Sequence, residues 1–241
     1  MKEVTAMGTT IAGTVALVAG GTGGLGRAVS LAFLEEGATV IVTYRRADEF
    51  AVLKATAGAE SARLGGHEVD VTDEHAVRAL IEVVRTRHGR LDALVNAVGA
   101  YAGGAPLWEQ DPATLDRMLT LNLRSGYALL RAAVPVMLSQ GHGAIVNVAS
   151  TAALDHTAGN AAYAASKAAA VALVGSLAED LKGTAVRANS ILPSIIDTEA
   201  NRRAMPKADF SKWPKPEEIA RVILFLVSDE SKLIRGAAIR V

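Results

Sequence analysis

Five of the seven residues from Gly20 to Gly26 are glycine. They separate a short apolar run, Val15-Ala-Leu-Val-Ala19, from a stretch with helical apolar spacing, Leu25 to Glu36. No other part of the chain constrains the fold as much. An apolar run of this length bounded by glycines reads as a buried strand. Without β-carbons, the glycines let the backbone pass from extended to helical within a few residues. Gly37 supplies a natural helix stop, and Thr39-Val-Ile-Val-Thr43, β-branched throughout, reads as a second strand. Strand, helix and strand in this order form a crossover unit, which joins parallel strands.

The alternation continues along the chain. Residues 47–59 are helix-like, and His67-Glu-Val-Asp70 is expected as a short third strand. Asp73 is a suitable N-cap for a helix through Arg87, whose apolar face carries Ala76, Leu80, Ile81 and Val84. Ala93-Leu-Val-Asn96 is the fourth strand. Residues 113–138 read as one long or broken helix, with Pro135 marking the expected kink or restart. Strands at residues 144–148 and 185–191 flank a helix at 161–181. A helix from Pro216 to Val227 starts with proline and two glutamates, which suit its positive end. A last strand is expected at residues 237–241, and Thr198 to Pro214, the least regular stretch, is the expected lid. These elements predict one α/β domain over residues 1–241: a mostly parallel, doubly wound sheet with helices on both faces and ligands at the strands' carboxyl ends.

Composition narrows the function. The 25 basic and 25 acidic side chains cancel, and the basic residues are scattered except for pairs such as Arg45-Arg46 and Arg202-Arg203. Nothing in that pattern calls for nucleic acid. Cysteine is absent, which excludes disulfides, thiolate catalysis and cysteine-ligated zinc; no metal site is expected. Residues 1–7, Met-Lys-Glu-Val-Thr-Ala-Met, lack the uninterrupted apolar segment of a signal peptide. The apolar residues 11–17 are too few to span a bilayer. A soluble cytoplasmic protein with no membrane partner is the expectation.

The glycine turn also carries chemistry. Missing β-carbons at Gly20, Gly24 and Gly26 permit close approach of a pyrophosphate, whose charge the amides and the helix start would stabilise. The spacing is neither the dinucleotide fingerprint G-x-G-x-x-G nor a P-loop, so a purely structural turn is the alternative. The second strand runs into Thr43-Tyr44-Arg45-Arg46, with no carboxylate at the point where a cofactor with an unphosphorylated ribose favours one. Two guanidinium groups suit a ribose phosphate instead, so NADP(H) is preferred and NAD(H) is the alternative. Asp70 is a candidate acceptor for the adenine amino group, or a turn cap.

Tyr163 and Lys167, four apart in an expected helix, share a face. An ammonium beside a phenol is expected to lower its pKa and ease its use as a base in alcohol oxidation. In reduction the phenol donates its proton to the forming alkoxide. Ser150, after the Ile-Val-Asn-Val strand, is placed to polarise a carbonyl. Asn122, polar in an apolar helical run, needs a buried partner and is a candidate water or backbone link from Lys167 to solvent.

Taken together, these residues resemble the short-chain dehydrogenase/reductase family over nearly the whole chain. The family turn T-G-x-x-x-G-x-G is similar to residues 19–26, with Ala19 for threonine. Its Asp-Val falls on Asp70-Val71, its N-N-A-G on Asn96-Ala97-Val98-Gly99, and its P-G-x-I-x-T on residues 193–198, with Ser194 for glycine. The resemblance implies a Rossmann-like fold and a catalytic set of Asn122, Ser150, Tyr163 and Lys167. It implies a cofactor set of Gly20, Thr22, Gly24, Leu25, Gly26, Tyr44, Arg45, Arg46, Asp70, Val71, Asn96, Val98, Gly99, Tyr163, Lys167, Pro193, Ile196 and Thr198. Ala19 and Ala97 both lose polar groups that join strand one to the fourth-strand turn, and some loosening of cofactor affinity is expected. Val241 stands where Asp-Gly-Gly often follows the last strand.

The family's usual assembly implies a homodimer or homotetramer through the long helices holding Asn122 and Tyr163. Tyr101, Leu154, His156 and residues 195–205 are the expected substrate walls, and Trp213 the expected lid anchor. The expected activity is hydride transfer between NADP(H) and a small or medium carbonyl or alcohol, with Tyr163 as acid and base. A local resemblance to dihydropteridine reductases at residues 197–202 and 205–213 adds a pteridine-type substrate as a minor alternative, beside 3-oxoacyl reduction. The competing class is a non-catalytic, dinucleotide-binding regulatory protein.

Overall fold

In β1 (Val15–Ala19) the side chains alternate between two hydrophobic layers, as a strand's period of two requires. Ala16 and Val18 join one core with Val29, Phe33 and Ile223, while Val15, Leu17 and Ala19 join the other with Leu80, Leu129 and Val174. Such a strand is buried on both faces and can only lie inside a sheet covered by helices on both sides. The computed structural model describes residues 11–241 and has that architecture; the residues considered for a signal peptide, 1–7, lie outside the described ones.

Among the described residues, seven strands form one sheet in the order β3-β2-β1-β4-β5-β6-β7, and every pairing is parallel. The other strands are β2 (Thr39–Tyr44), β3 (Leu64–Glu68), β4 (Ala93–Asn96), β5 (Gly143–Val148), β6 (Val186–Leu192) and β7 (Ala238–Arg240). The helices are α1 (Gly24–Glu35), α2 (Ala47–Ala57), α3 (Glu74–His88), α4 (Pro112–Leu119), α5 (Ser125–Gln140), α6 (Ala161–Asp180), α7 (Glu199–Ala204) and α8 (Pro216–Val227). Helices α1 and α8 pack together on one face, and α3, α5 and α6 cover the other. The chain winds outward from β1 to β3 and then returns to place β4 on the opposite side of β1. A crevice therefore opens between the carboxyl ends of β1 and β4.

Three expectations need correction. The third strand covers residues 64–68, not 67–70, and pairs Val40 with Leu64 through Tyr44 with Glu68. Its start contains Gly65-Gly66, which no strand propensity favours. A β-carbon on Gly66 would lie 2.4 Å from the ring of Phe50, so glycine is what lets that ring cross the strand and stack on Tyr44. The helical region at 113–138 is interrupted at residues 120–124 by a π-helical turn containing Asn122, and not at Pro135, which α5 carries through to Gln140. Helix α2 stops at Ala57; Gly58 follows with φ +54° and leads into a 3-10 turn.

Helix α6 is long and apolar enough, by length and composition, to cross a membrane. Here it lies on the sheet and carries Ser166 and Lys167 into the interior.

Two buried charges organise the sheet away from the crevice. Arg187 on β6 donates to the carbonyls of Leu226 and Ser228 at 2.6 and 2.7 Å, which satisfies the carboxyl end of α8. Asp92, just before β4, accepts from the Val15 amide at 2.8 Å, from Arg90 at 2.7 and 2.8 Å, and lies 2.5 Å from His142 Nε2. Burial disfavours its charge, but Arg90, the Val15 amide and His142 outweigh it and hold the carboxyl below its ordinary value. A depressed carboxyl pKa stabilises the fold above the unfolded value, and that contribution fades as pH falls through the native one. Asp92→Asn is expected to cost about 1.5–3 kcal/mol at pH 7. In urea titrations the gap from wild type should persist above about pH 4 and close below it.

Candidate functional site

The turn after β1 is built by contacts that only glycine tolerates. Gly20 has φ +73°, and a β-carbon on Gly26 would lie 2.1 Å from the Gly20 carbonyl oxygen. The Gly20 amide donates to Thr43 Oγ1 at 2.9 Å, tying the turn to the end of β2. No acidic side chain occupies the first turn of α1, so the positive end of that helix is turned to the opening without an acid of its own.

That opening is a cavity of about 500 Å³ over the carboxyl ends of β1 to β4. Of the candidate cofactor residues it gathers Gly20, Thr22, Tyr44, Arg45, Arg46, Asp70, Val71, Val98 and Gly99. Gly24 lies beside the cavity: its β-carbon would come 2.7 Å from Thr198 Cγ2, so the turn and the 198–214 segment touch there. Leu25 points into the core. Asn96 lies buried beneath the crevice, donating to Asn147 Oδ1 at 2.9 Å and accepting from the Val98 amide at 3.2 Å. Pro193 is buried and its carbonyl accepts from the Thr151 amide at 3.0 Å. Ile196 is half-buried, its carbonyl held by the Thr198 amide and the Asn201 side chain, each at 2.8 Å.

The two arginines differ. Arg46 is spoken for, lying 2.5 Å from Asp48 and 3.7 Å from Glu49, whereas Arg45 makes no ion pair among the described residues. Asp70 closes a turn onto Thr72, accepting from its amide at 2.9 Å and its hydroxyl at 2.7 Å; those bonds hold its carboxyl low. The loss of polar groups at residues 19 and 97 is met by backbone, since the Ala97 amide donates to the Ala19 carbonyl at 3.0 Å.

At the other end of the crevice, Ser150, Tyr163 and Lys167 come together. Ser150 follows β5 and accepts from the Ala152 amide at 3.2 Å. Burial pushes the Tyr163 phenol up, the Ser150 hydroxyl works against that shift, and Tyr101 adds to it. The Tyr101 ring meets that of Tyr163 edge-on, with centroids 5.0 Å apart. Lys167 is 5% exposed; its Nζ donates to the Val148 carbonyl at 3.1 Å and lies 6.0 Å from the Tyr163 ring centre. Against the expected lowering, the phenol's pKa is raised here, with burial the largest cause.

Asn122 does not contact Lys167 directly through any hydrogen bond. Its Oδ1 accepts from the Ala100 amide at 2.8 Å, and its Nδ2 donates to the Ala100 carbonyl and to Ser166 Oγ, both at 3.0 Å. A β-carbon on Gly99 would lie 2.9 Å from Asn122 Oδ1 and 3.0 Å from Lys167 Nζ, so both side chains converge on that glycine. Sequence reasoning missed Ser166, Thr43 and Glu49. Only Ser166 had a signal, since it lies between Tyr163 and Lys167 in an otherwise alanine-rich helix.

His156 is exposed, as is Leu154, and Trp213 packs on Phe210 with ring centroids 4.9 Å apart. The 198–214 segment contains α7 and a 3-10 turn at residues 210–212, so it is more regular than expected. The Asp197 amide donates to the Pro214 carbonyl at 2.9 Å, while Arg202 pairs with Asp197 at 2.5 and 2.7 Å and covers the Phe210 ring.

Burial lowers the Lys167 pKa to about 8. Keeping its ammonium inside the protein therefore costs stability at pH 7, and the cost fades as pH rises from about 8 toward the unfolded value near 10.4. Lys167→Met is expected to be more stable than wild type by about 2–3 kcal/mol at pH 7. Chemical denaturation at pH 7 and pH 10 should show that gain shrinking at the higher pH.

Comparison with known proteins agrees with this geometry. The short chain dehydrogenase family matches residues 14–209. The 3-oxoacyl-(acyl-carrier-protein) reductase of Thermotoga maritima is 33% identical over 235 residues, covering 94% of this chain and 95% of the relative. The D-threitol dehydrogenase of Mycolicibacterium smegmatis is 35% identical over 234 residues, covering 93% and 90%. Among solved structures, ElxO with NADP bound has a TM-score of 0.90 at 26% identity, over 95% of this chain and 96% of that one. With its parallel sheet, glycine turn and Ser150–Tyr163–Lys167 grouping, the chain is an NAD(P)-dependent oxidoreductase and belongs to the short-chain dehydrogenase/reductase family.

Proposed function

We propose that the protein transfers hydride between NADP(H) and a small or medium uncharged carbonyl or alcohol, with Tyr163 as acid and base. The observation that carries this reading is the convergence of Ser150, Tyr163 and Lys167 at the strand ends beside a cavity that gathers half of the candidate cofactor residues. The glycine turn fits a dinucleotide, because Gly20 and Gly23 line the cavity without side chains and no acid occupies the first turn of α1. Gly20, Thr22 and the start of α1 would hold the pyrophosphate, Asp70 and Val71 the adenine, and Arg45 the ribose phosphate. Ile196 and Thr198 would lie by the carboxamide. When bound, the nicotinamide supplies or accepts the hydride.

The chain's own groups supply the proton chemistry. Ser150 orients the carbonyl oxygen, and Tyr163 donates its phenolic proton as negative charge develops there. Burial raises the Tyr163 pKa, so the phenol holds its proton until the alkoxide forms. Lys167 adds positive potential behind the phenol, and Asn122 fixes Ala100 and so the floor of the site. The 198–214 segment acts as the substrate-side lid on this single domain of residues 1–241. Tyr101, Leu154 and residues 195–205 are its walls, with Ile195, Ile196 and Met205 the large apolar members of that stretch.

Relatives of similar identity named for 3-oxoacyl reduction and threitol oxidation support a broad carbonyl or alcohol class and no narrower one. 3-Oxoacyl reduction is the more specific alternative that the first of them favours. We infer a cytoplasmic homodimer or homotetramer. Exposed Tyr127 and Leu138 on α5, and an apolar groove between α5 and α6 lined by Val134, Pro135 and Leu173, support association there.

Tyr163→Phe is expected to retain cofactor binding and lose at least ~100-fold in turnover on a panel of carbonyl substrates; near-normal turnover would remove the acid–base role. Arg45→Ala should weaken NADPH by about tenfold or more and leave NADH nearly unchanged in fluorescence titrations. Equal losses for both cofactors would make Arg45 a structural residue.

A further inference from the structure

The rim of the cavity contains an acidic residue that the reaction does not call for. Glu49, in the first turn of α2, lines the same cavity as Thr22, Arg45, Arg46 and Asp70. An acid in a helix's first turn is favourable by itself, through the exposed amides there. That accounts for its charge and not for its contacts. Glu49 Oε2 accepts from Thr22 Oγ1 at 3.0 Å, so its carboxylate reaches across to the glycine turn. Its other oxygen lies 3.7 Å from Arg46 Nε. Asp48 accepts from the same Nε and from Nη2, at 3.1 and 2.5 Å. Arg46 therefore faces two carboxylates, and among the described residues the rim offers one cation without an ion pair, Arg45, beside Glu49 and Asp70.

This arrangement opposes a phosphorylated ribose in two ways. An incoming phosphate has to compete with Asp48 and Glu49 for Arg46, and it enters a group of charges in which carboxylates outnumber arginines. A ribose without phosphate meets neither obstacle. We propose that Glu49 is a specificity-determining residue that restrains binding of the phosphorylated cofactor, by occupying Arg46 and holding a carboxylate between the glycine turn and the β2 rim. The inference rests on the cofactor reading given above and deepens it. The chain carries two arginines where the phosphate is expected, yet a third residue, on the neighbouring helix, limits how strongly they favour NADPH.

The test is calorimetric titration with NADPH and with NADH, at low salt, of wild type, Glu49→Gln, Arg46→Gln and the double variant. Glutamine keeps the length of the side chain and an oxygen for Thr22, and removes only the charge. Glu82→Gln, on the exposed face of α3 and paired with Arg85, controls for the change in net charge. Glu49→Gln is expected to tighten NADPH about fivefold or more and to move NADH by less than about twofold. The gain should shrink with added salt and vanish when Arg46 is also replaced, because the two residues are coupled. Equal tightening of both nucleotides, weaker NADPH binding, or the same gain in Glu82→Gln would overturn the proposal. So would a gain that survives the loss of Arg46. If wild type binds both nucleotides and Glu49→Gln changes neither, the cofactor reading stands and this inference falls. If wild type binds neither, the cofactor reading fails and takes the inference with it.

Discussion

The arrangement of the site depends on a single side-chain amide. Asn122 bonds both polar groups of the Ala100 residue, donating to its carbonyl and accepting from its amide, and donates as well to Ser166. An amide inside a regular helix would leave these groups out of reach or compete with the helix's own bonds. The π-helical turn at residues 120–124 admits one extra residue and turns Asn122 toward the crevice. Three pieces of chain are joined as a result: the loop after β4, the α4–α5 junction, and α6 with its tyrosine and lysine. Gly99 is the space into which they close, because a β-carbon there would touch both Asn122 and Lys167.

The two ends of the sheet have separate duties. At the carboxyl ends of the strands lie the glycine turn, the cavity and the Ser150–Tyr163–Lys167 group. At the opposite end, Asp92 joins the starts of β1, β4 and β5 through Val15, its own carbonyl bond to Ala144, and His142. Polar burial at that end serves the fold, with every charge met by a partner. At the crevice end the terms are different, because Lys167 is buried with one carbonyl bond and a pKa near 8. A buried ammonium so thinly partnered is a local cost that the rest of the sheet offsets, as is common where chemistry is done.

Much of this was legible in the sequence because the controlling signals are local. β1, β2 and β4 are dense apolar or β-branched runs, α8 begins at its proline, and Asp73 caps α3 as its spacing suggests. Ser150, Tyr163 and Lys167 were marked by reactive groups at helix and strand-end spacing. What stayed hidden depends on partners far away in the chain. β3 was misplaced because Gly65 and Gly66 look like loop residues until Phe50 is seen to need the room. The interruption at Asn122 has no compositional mark, whereas Pro135 does, so the break was expected at the wrong residue. Arg45 and Arg46 are equivalent as letters; only the fold shows that Asp48 and Glu49 hold one of them. The sign of the Tyr163 shift was likewise set by burial, which spacing does not reveal.

The single bond from the Asp197 amide to the Pro214 carbonyl brings the two feet of the 198–214 excursion side by side. Arg202, clamped to Asp197 and lying over Phe210, fills that excursion from within. Thr198 packs against Gly24 of the glycine turn and Asn201 donates to the Ile196 carbonyl, so the first residues of the segment are fastened to the body. Residues between the feet can therefore be exchanged, added or removed with little effect on the registration of β6 or the seating of α8, since loop length costs little once the ends are fixed. Changes confined to the middle of this excursion therefore leave the glycine turn and the Ser150–Tyr163–Lys167 group in place.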